Sequence, residues 1–61
     1  MRHTDTIRIV IAEDHTLVRQ GMLLVLSQDR RFKIVAEACD GQTAWQHTRE
    51  LRPDVLILDL G

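Results

Sequence analysis

The chain has 61 residues, which is enough for at most one small domain. Its formal net charge of -1 gives no overall field that would draw it to nucleic acid or to a membrane surface. A single cysteine, Cys39, excludes an internal disulfide and fits a reducing cytoplasm. No apolar run is long enough to span a bilayer, and the polar start MRHTDT lacks the apolar core of a signal peptide. We therefore expect a cytoplasmic domain without a membrane partner.

The first half of the chain predicts a strand, a helix and a second strand. Ile7 to Ala12 (IRIVIA) is β-branched and almost entirely apolar, which is typical of a strand buried on both faces of a parallel sheet. From about His15 to Ser27, apolar pairs recur every four residues and predict a helix with one apolar stripe. Gly21 lies in that stripe, and we expect it to allow close approach of the helix to the sheet. Phe32 to Ala38 alternates enough to be the second strand.

The second half adds one more helix and one more strand. Asp40 is a predicted N-cap of the second helix, and Pro53 disfavours helical geometry at Arg52, where the helix should end. Trp45 falls on the apolar stripe of this helix and is predicted to be a core residue. Val55 to about Leu58 is apolar throughout and predicts the third strand. The resulting order, β-α-β-α-β, indicates an α/β fold with a parallel sheet and right-handed crossovers.

Three carboxylates follow the predicted strands. Glu13 and Asp14 end the first strand, and Asp59 ends the third. Parallel strands place their carboxyl ends on one rim, and a 2-1-3 strand order would set these residues beside a topological switch point, where open α/β sheets bind ligands. In a plain 1-2-3 order, the second strand would separate them. With no neighbouring Lys or Arg expected, such a cluster is unfavourable unless a cation enters, and hard oxygen ligands suit Mg²⁺ or Mn²⁺. The pattern predicts a divalent-metal site for phosphoryl chemistry.

Simpler roles exist for each of these residues taken singly. Asp14 could cap the first helix and stabilise its positive end without any metal. Asp59 could be an ordinary turn aspartate. His15 could be a metal ligand, but three oxygens suggest a hard ion, so a position in the first turn of the helix is the preferred interpretation.

With these residues placed, the sequence resembles the receiver domain of two-component response regulators. The matching stretches are IRIVIAEDH, LVRQGM, VAEACDGQTAW and RPDVLILDLG, and the resemblance covers essentially the whole chain. Their combination is similar to the subgroup whose output is a helix-turn-helix DNA-binding domain of the LuxR/NarL type. The resemblance implies the first half of a flavodoxin-like fold with strand order 2-1-3-4-5.

The resemblance also implies a role for each matching residue. Asp59 would be the phosphoacceptor that receives a phosphoryl group from a sensor histidine kinase. Glu13, Asp14 and Asp59 would hold Mg²⁺, and Gly61 sits where the family offers a backbone carbonyl to the metal. The chain would then be a signalling domain rather than an enzyme, and it would control transcription through a DNA-binding output domain.

Parts of the family pattern are not found among the 61 residues. They are the later Ser/Thr and Lys of the site, the switch aromatic and the output domain. We therefore expect residues 1–61 to be a truncated receiver, with weak Mg²⁺ affinity and poor or absent phosphoacceptor activity. Its third strand would present an open apolar edge, and we expect the chain to self-associate through it.

Three other functions compete with this interpretation. An aspartyl-nucleophile Mg²⁺ phosphatase resembles LILDLG but wants a second aspartate two positions after the nucleophile, where this chain has Gly61. A dinucleotide-binding fold needs a glycine-rich phosphate cradle after the first strand, and AEDHTLVRQG does not provide one. A purely structural, self-associating module is the third alternative.

Overall fold

The computed structural model describes residues 6–61 and contains the five predicted elements in the predicted order. The first and third strands each extend one residue further than expected, so that Glu13 and Asp59 lie in the strands themselves. His15 is the N-cap of the first helix rather than part of its first turn. The elements are β1 (Ile7–Glu13), α1 (Thr16–Leu26), β2 (Phe32–Ala38), α2 (Gly41–Leu51) and β3 (Val55–Asp59).

The three strands form one parallel sheet in the order β2-β1-β3, which confirms the predicted topology. Glu13 is the register partner of Asp59, and Ala12 is the partner of Ala38, so the carboxyl ends of all three strands are level. The β1–β2 register shifts between Ile9 and Val10, which leaves one extra residue in β2. The 2-1-3 order therefore brings the ends of β1 and β3 side by side.

The core of the protein is the central strand. Residues 9 to 13 of β1 are all buried. Because successive side chains of a strand point to opposite faces, this run requires that both faces of β1 are covered. One covered face is built from alanines: Ala12, Ala38 and Ala44 form a buried cluster that joins β1, β2 and α2. These small side chains allow α2 to pack closely against the sheet beside the rim that carries Glu13.

Two core predictions for the helices are wrong. Trp45 is 60% exposed, and the Arg49 guanidinium lies 5.7 Å from its ring centroid, so this indole forms a surface cation–π pair. A Cβ added at Gly21 would meet no described atom within 4 Å, so Gly21 is not a point of close contact. No residue of α1, all of which the structure describes, is fully buried, although Met22, Leu23 and Leu26 are half-buried.

The start and end of α2 follow the predicted signals. The Asp40 carboxylate accepts a hydrogen bond of 2.7 Å from the backbone N–H of Thr43, which confirms the N-cap. The helix ends at Leu51, and Arg52 takes a left-handed conformation with φ of 48° ahead of Pro53. None of the helices within residues 6–61 is long and apolar enough to cross a membrane.

Replacing Asp40 by Ala should lower the melting temperature by about 4–8 °C, because the Thr43 N–H loses its acceptor. Hydrogen bonds at the start of α2 hold the pKa of Asp40 below its usual value, and the bond from the Thr43 backbone N–H contributes most. The stabilisation is therefore present above pH 3.8 and is lost as the pH falls below that value. Melting followed by circular dichroism at one protein concentration measures both effects. Asp40→Ser keeps an acceptor and is the control; equal melting of the Ala variant and the wild type would contradict the assignment.

Candidate functional site

The predicted site residues lie together at the carboxyl ends of β1 and β3. Glu13 is the last residue of β1 and pairs in register with Asp59, the last residue of β3. Asp14 follows directly and is exposed. Gly61 lies two residues beyond Asp59 and is exposed. A Cβ added at Gly61 would meet no described atom within 4 Å. The register of β1 and β3 thus brings Glu13 and Asp59 to the same rim.

A short network of contacts organises the acidic pair. The Glu13 side chain is 2% exposed, and its Oε2 accepts a hydrogen bond of 2.9 Å from the backbone N–H of His15. The same oxygen lies 2.9 Å from Nδ1 of the His15 ring. That nitrogen also lies 3.1 Å from Oδ1 of Asp14. One ligand atom from each of the three residues falls within 4.8 Å of the others.

These contacts change the proton affinity of both partners. The backbone N–H of His15, followed by its side chain, lowers the pKa of Glu13 to about 2, so this carboxyl is ionised at neutral pH. In return, the hydrogen bond to Glu13 and the charge of Asp14 raise the pKa of His15, and the charge of Asp59 adds to this effect. The imidazolium form is thus favoured. The imidazolium form of His15 therefore persists to higher pH than that of a free histidine.

The sequence did not predict this compensation. It suggested three carboxylates without a cationic neighbour, but His15 contacts two of them. A second cation, Arg19 of α1, donates from Nη1 to the backbone carbonyl of Glu13 at 2.6 Å and from Nε to Glu37 at 3.2 Å. Arg19 lies in the LVRQGM stretch, so the residue itself was visible in the sequence. The spacing of apolar residues in α1 does not show, however, that the Arg19 side chain turns back to contact β1.

Asp14 does not cap α1. The N-cap position belongs to His15, and no described side chain caps this helix end. The Asp14 side chain is 43% exposed, and its recorded partner is the His15 ring. Asp14 therefore does not serve as the side-chain cap that the sequence offered, and its carboxylate is available to a ligand.

The residues present fit a hard divalent cation. Glu13 and Asp14 supply oxygen ligands from adjacent positions, and the lowered pKa of Glu13 keeps its carboxylate charged. The His15 ring now fills the space between them, but its side chain is 64% exposed and can turn outward without disturbing the core. Asp59 is not a member of the close group of three. Its exposed carboxylate instead faces the same rim from the neighbouring strand. Such an arrangement can hold a cation beside a carboxylate nucleophile.

Comparison with known proteins identifies the class to which this fold and site belong. Residues 9–61 match the model of the response regulator receiver domain. The chain therefore belongs to the response regulator receiver domain family, as the sequence motifs predicted.

Individual relatives place the chain near particular regulators. It is 51% identical over 53 residues to the oxygen regulatory protein NreC of Staphylococcus epidermidis, an alignment that covers 87% of this chain and 24% of the relative. The corresponding protein of Staphylococcus aureus is 45% identical over the same length. The chain thus spans about a quarter of these relatives.

A solved structure agrees with the sequence matches. The signal receiver domain of the putative response regulator NarL from Mycobacterium tuberculosis superposes with a TM-score of 0.87 at 36% identity. The superposition covers 90% of this chain and 44% of the NarL chain. It confirms the predicted fold class, the first part of a receiver-type α/β domain.

Proposed function

We propose that this chain is the phosphoacceptor part of a cytoplasmic response regulator. A sensor histidine kinase would transfer a phosphoryl group to Asp59, with Mg²⁺ held by Glu13, Asp14, Asp59 and the backbone carbonyl of Gly61. The phosphorylated protein would control transcription through a DNA-binding output domain. The domain would act as a signalling acceptor rather than as an enzyme with a separate substrate.

One observation carries this proposal above the others. The buried strand β1 delivers the acidic pair to the same rim at which Asp59 ends β3, because Glu13 and Asp59 are register partners. An N-cap or a solvated turn would not require carboxylates from two neighbouring strands to meet there. Membership of the receiver family supports the same assignment.

The chain's own residues divide the work of phosphoryl transfer. Asp59 is exposed, so a phosphohistidine on another protein can reach it. A carboxylate oxygen of Asp59 would form the new O–P bond while the N–P bond of the phosphohistidine breaks, leaving the imidazole on the kinase and an acyl phosphate on Asp59. Bound Mg²⁺ would supply charge neutralisation for the phosphoryl oxygens. Glu13 is held rigidly by the His15 N–H, and the more exposed Asp14 can adjust, which suits one fixed and one adaptable ligand.

Incubation with acetyl phosphate and Mg²⁺, followed by intact-mass analysis and peptide mapping, tests the acceptor. We expect the label on the wild type to map to Asp59 and to be absent from Asp59→Asn. The matched control is Asp54→Asn, at the opposite end of β3. Asp54 accepts a hydrogen bond of 2.8 Å from the Arg8 N–H, and asparagine keeps an acceptor oxygen there. Label that persists in Asp59→Asn would place the acceptor elsewhere.

A specific observation also favours self-association of this chain. In the part that the structure describes, β3 has a neighbouring strand on one side only. Its sequence VLILD carries no charge before Asp59, whereas the other edge strand, β2, carries the exposed charges of Lys33 and Glu37. We propose that a second copy covers this edge when residues 1–61 stand alone.

An apolar groove extends the same surface. It has a volume of about 460 Å³ and lies between α1 and β3. Val25, one of the side chains that line it, is 69% exposed. A surface of this kind supports association. The groove is lined by Val18, Gly21, Met22, Val25, Leu26 and Ile57.

A further inference from the structure

Arg19 connects three elements at the rim that carries the acidic pair. It lies in the first turn of α1, and its side chain is only 17% exposed. Nη1 donates to the carbonyl oxygen of Glu13 at 2.6 Å, and Nε donates to Oε1 of Glu37 near the end of β2 at 3.2 Å. A guanidinium that is largely removed from water needs such partners, so its position is well defined.

The bond to the Glu13 carbonyl fixes the peptide that joins Glu13 to Asp14. Rotation of this peptide would move the Asp14 carboxylate and would also shift the His15 N–H that donates to Glu13 Oε2. Arg19 therefore holds the backbone of Glu13, while His15 holds its carboxylate. Together the two contacts fix where the strand ends and where the acidic pair points.

We propose that Arg19 is a positioning residue for the acidic pair, and that its bond to the Glu13 carbonyl keeps Glu13 and Asp14 in the arrangement that binds a divalent cation. The part of this proposal that concerns the cation rests on the proposed function. The claim that Arg19 fixes the Glu13–Asp14 peptide is independent of that function. Arg19 touches no reacting atom in this scheme and acts through the backbone.

Three variants separate positioning from simple charge. Arg19→Lys keeps the charge but cannot reproduce the two-directional guanidinium contact, and Arg19→Met keeps the apolar stem alone. Glu37→Gln is the matched control, because an amide oxygen still accepts from Nε and leaves the bond to Glu13 intact. If Arg19 acted through its charge alone, the Met variant would bind Mg²⁺ more tightly, since a repelling cation is lost, and the Lys variant would be unchanged.

The first readout needs no metal. Solvent-exchange NMR measures the protection of the His15 amide, which reports its bond to Glu13. We expect protection to fall about tenfold in both Arg19 variants and to remain in Glu37→Gln. The amides of Ile9 and Ile11 in β1 serve as a check that the sheet is intact. Unchanged His15 protection in a folded Arg19→Lys variant would overturn the proposal.

The second readout is the dissociation constant for Mg²⁺, measured by titration of the same amide signals. We expect both Arg19 variants to bind about tenfold more weakly, the usual order of loss when a residue that orients a metal ligand is removed. Tighter binding by Arg19→Met would assign a charge effect and overturn the positioning role. A wild-type protein that binds no Mg²⁺ would contradict the proposed function, while His15 protection would still decide the role of Arg19.

Discussion

Replacing Asp14 by Asn is expected to weaken Mg²⁺ binding roughly tenfold or more, since Mg²⁺ is usually held by only one or two carboxylates and keeps much of its water. Asp14 is the best position for this test. Its side chain is 43% exposed, and its recorded contact is with the His15 ring, so the substitution removes a ligand without opening the core. Glu13→Gln would be less informative, because Glu13 is buried and also accepts the His15 N–H.

Calorimetric titration with Mg²⁺ measures this effect, and Asp54→Asn is the control. It removes the same unit of charge from the opposite end of β3, so a general loss of negative charge would weaken both variants equally. We expect only Asp14→Asn to lose affinity, with an amide NMR spectrum that otherwise matches the wild type. Equal affinities in the two variants would remove Asp14 from the proposed site.

The second large effect concerns the oligomeric state. In analytical ultracentrifugation, the wild-type chain should sediment as dimers or larger species, because the uncharged edge of β3 and the groove beside α1 are open. Leu58→Lys places a charge beside the edge, and Val25→Lys places one in the groove. Both should shift the chain towards the monomer. Since these side chains are already exposed, neither substitution should greatly reduce the stability of the fold.

A neighbouring position on α1 supplies the matched control. Leu24 is 65% exposed, close to the value for Val25, but does not line the groove. Leu24→Lys should therefore leave the association unchanged. A monodisperse wild-type monomer with cooperative unfolding would contradict the proposed self-association, and equal effects of Val25→Lys and Leu24→Lys would argue against the groove as the contact surface.

The strands could be predicted from the sequence because their signals are strong, whereas their 2-1-3 order followed from the resemblance to receiver domains. β1 is rich in β-branched residues and is buried on both faces of the sheet, and this pattern differs from that of a surface helix. The carboxylates at the ends of β1 and β3 then meet through topology alone, since a 2-1-3 parallel sheet aligns Glu13 with Asp59. The N-cap at Asp40 could also be predicted, because its carboxylate needs only the nearby Thr43 N–H as a partner.

The burial of the helix side chains was less predictable, because an apolar stripe does not show which element packs against it. The stripe of α1 includes Val25, yet this side chain is 69% exposed beside a groove. Trp45 belongs to the same predicted stripe as Ala44, but Ala44 is buried against the sheet, whereas Trp45 lies on the surface with the Arg49 guanidinium over its ring.

The compensation within the site was also beyond the sequence pattern. His15 reaches Glu13 through a turn of two residues, and Arg19 reaches the Glu13 carbonyl across the gap between α1 and β1. Both contacts depend on side-chain directions that periodicity does not encode. They explain how a buried carboxylate can lie beside a second acidic residue at a strand end without a large energetic penalty.

The most direct test of the account locates Mg²⁺ on the wild-type chain by titration in amide-detected NMR. We expect saturable shifts concentrated at Glu13, Asp14, His15 and Asp59, with little change at Asp29, a carboxylate paired with Arg31 in a distant turn. The absence of saturable shifts at the rim, or shifts spread evenly over the surface carboxylates, would contradict the claim that the ends of β1 and β3 form a metal-dependent phosphoacceptor site.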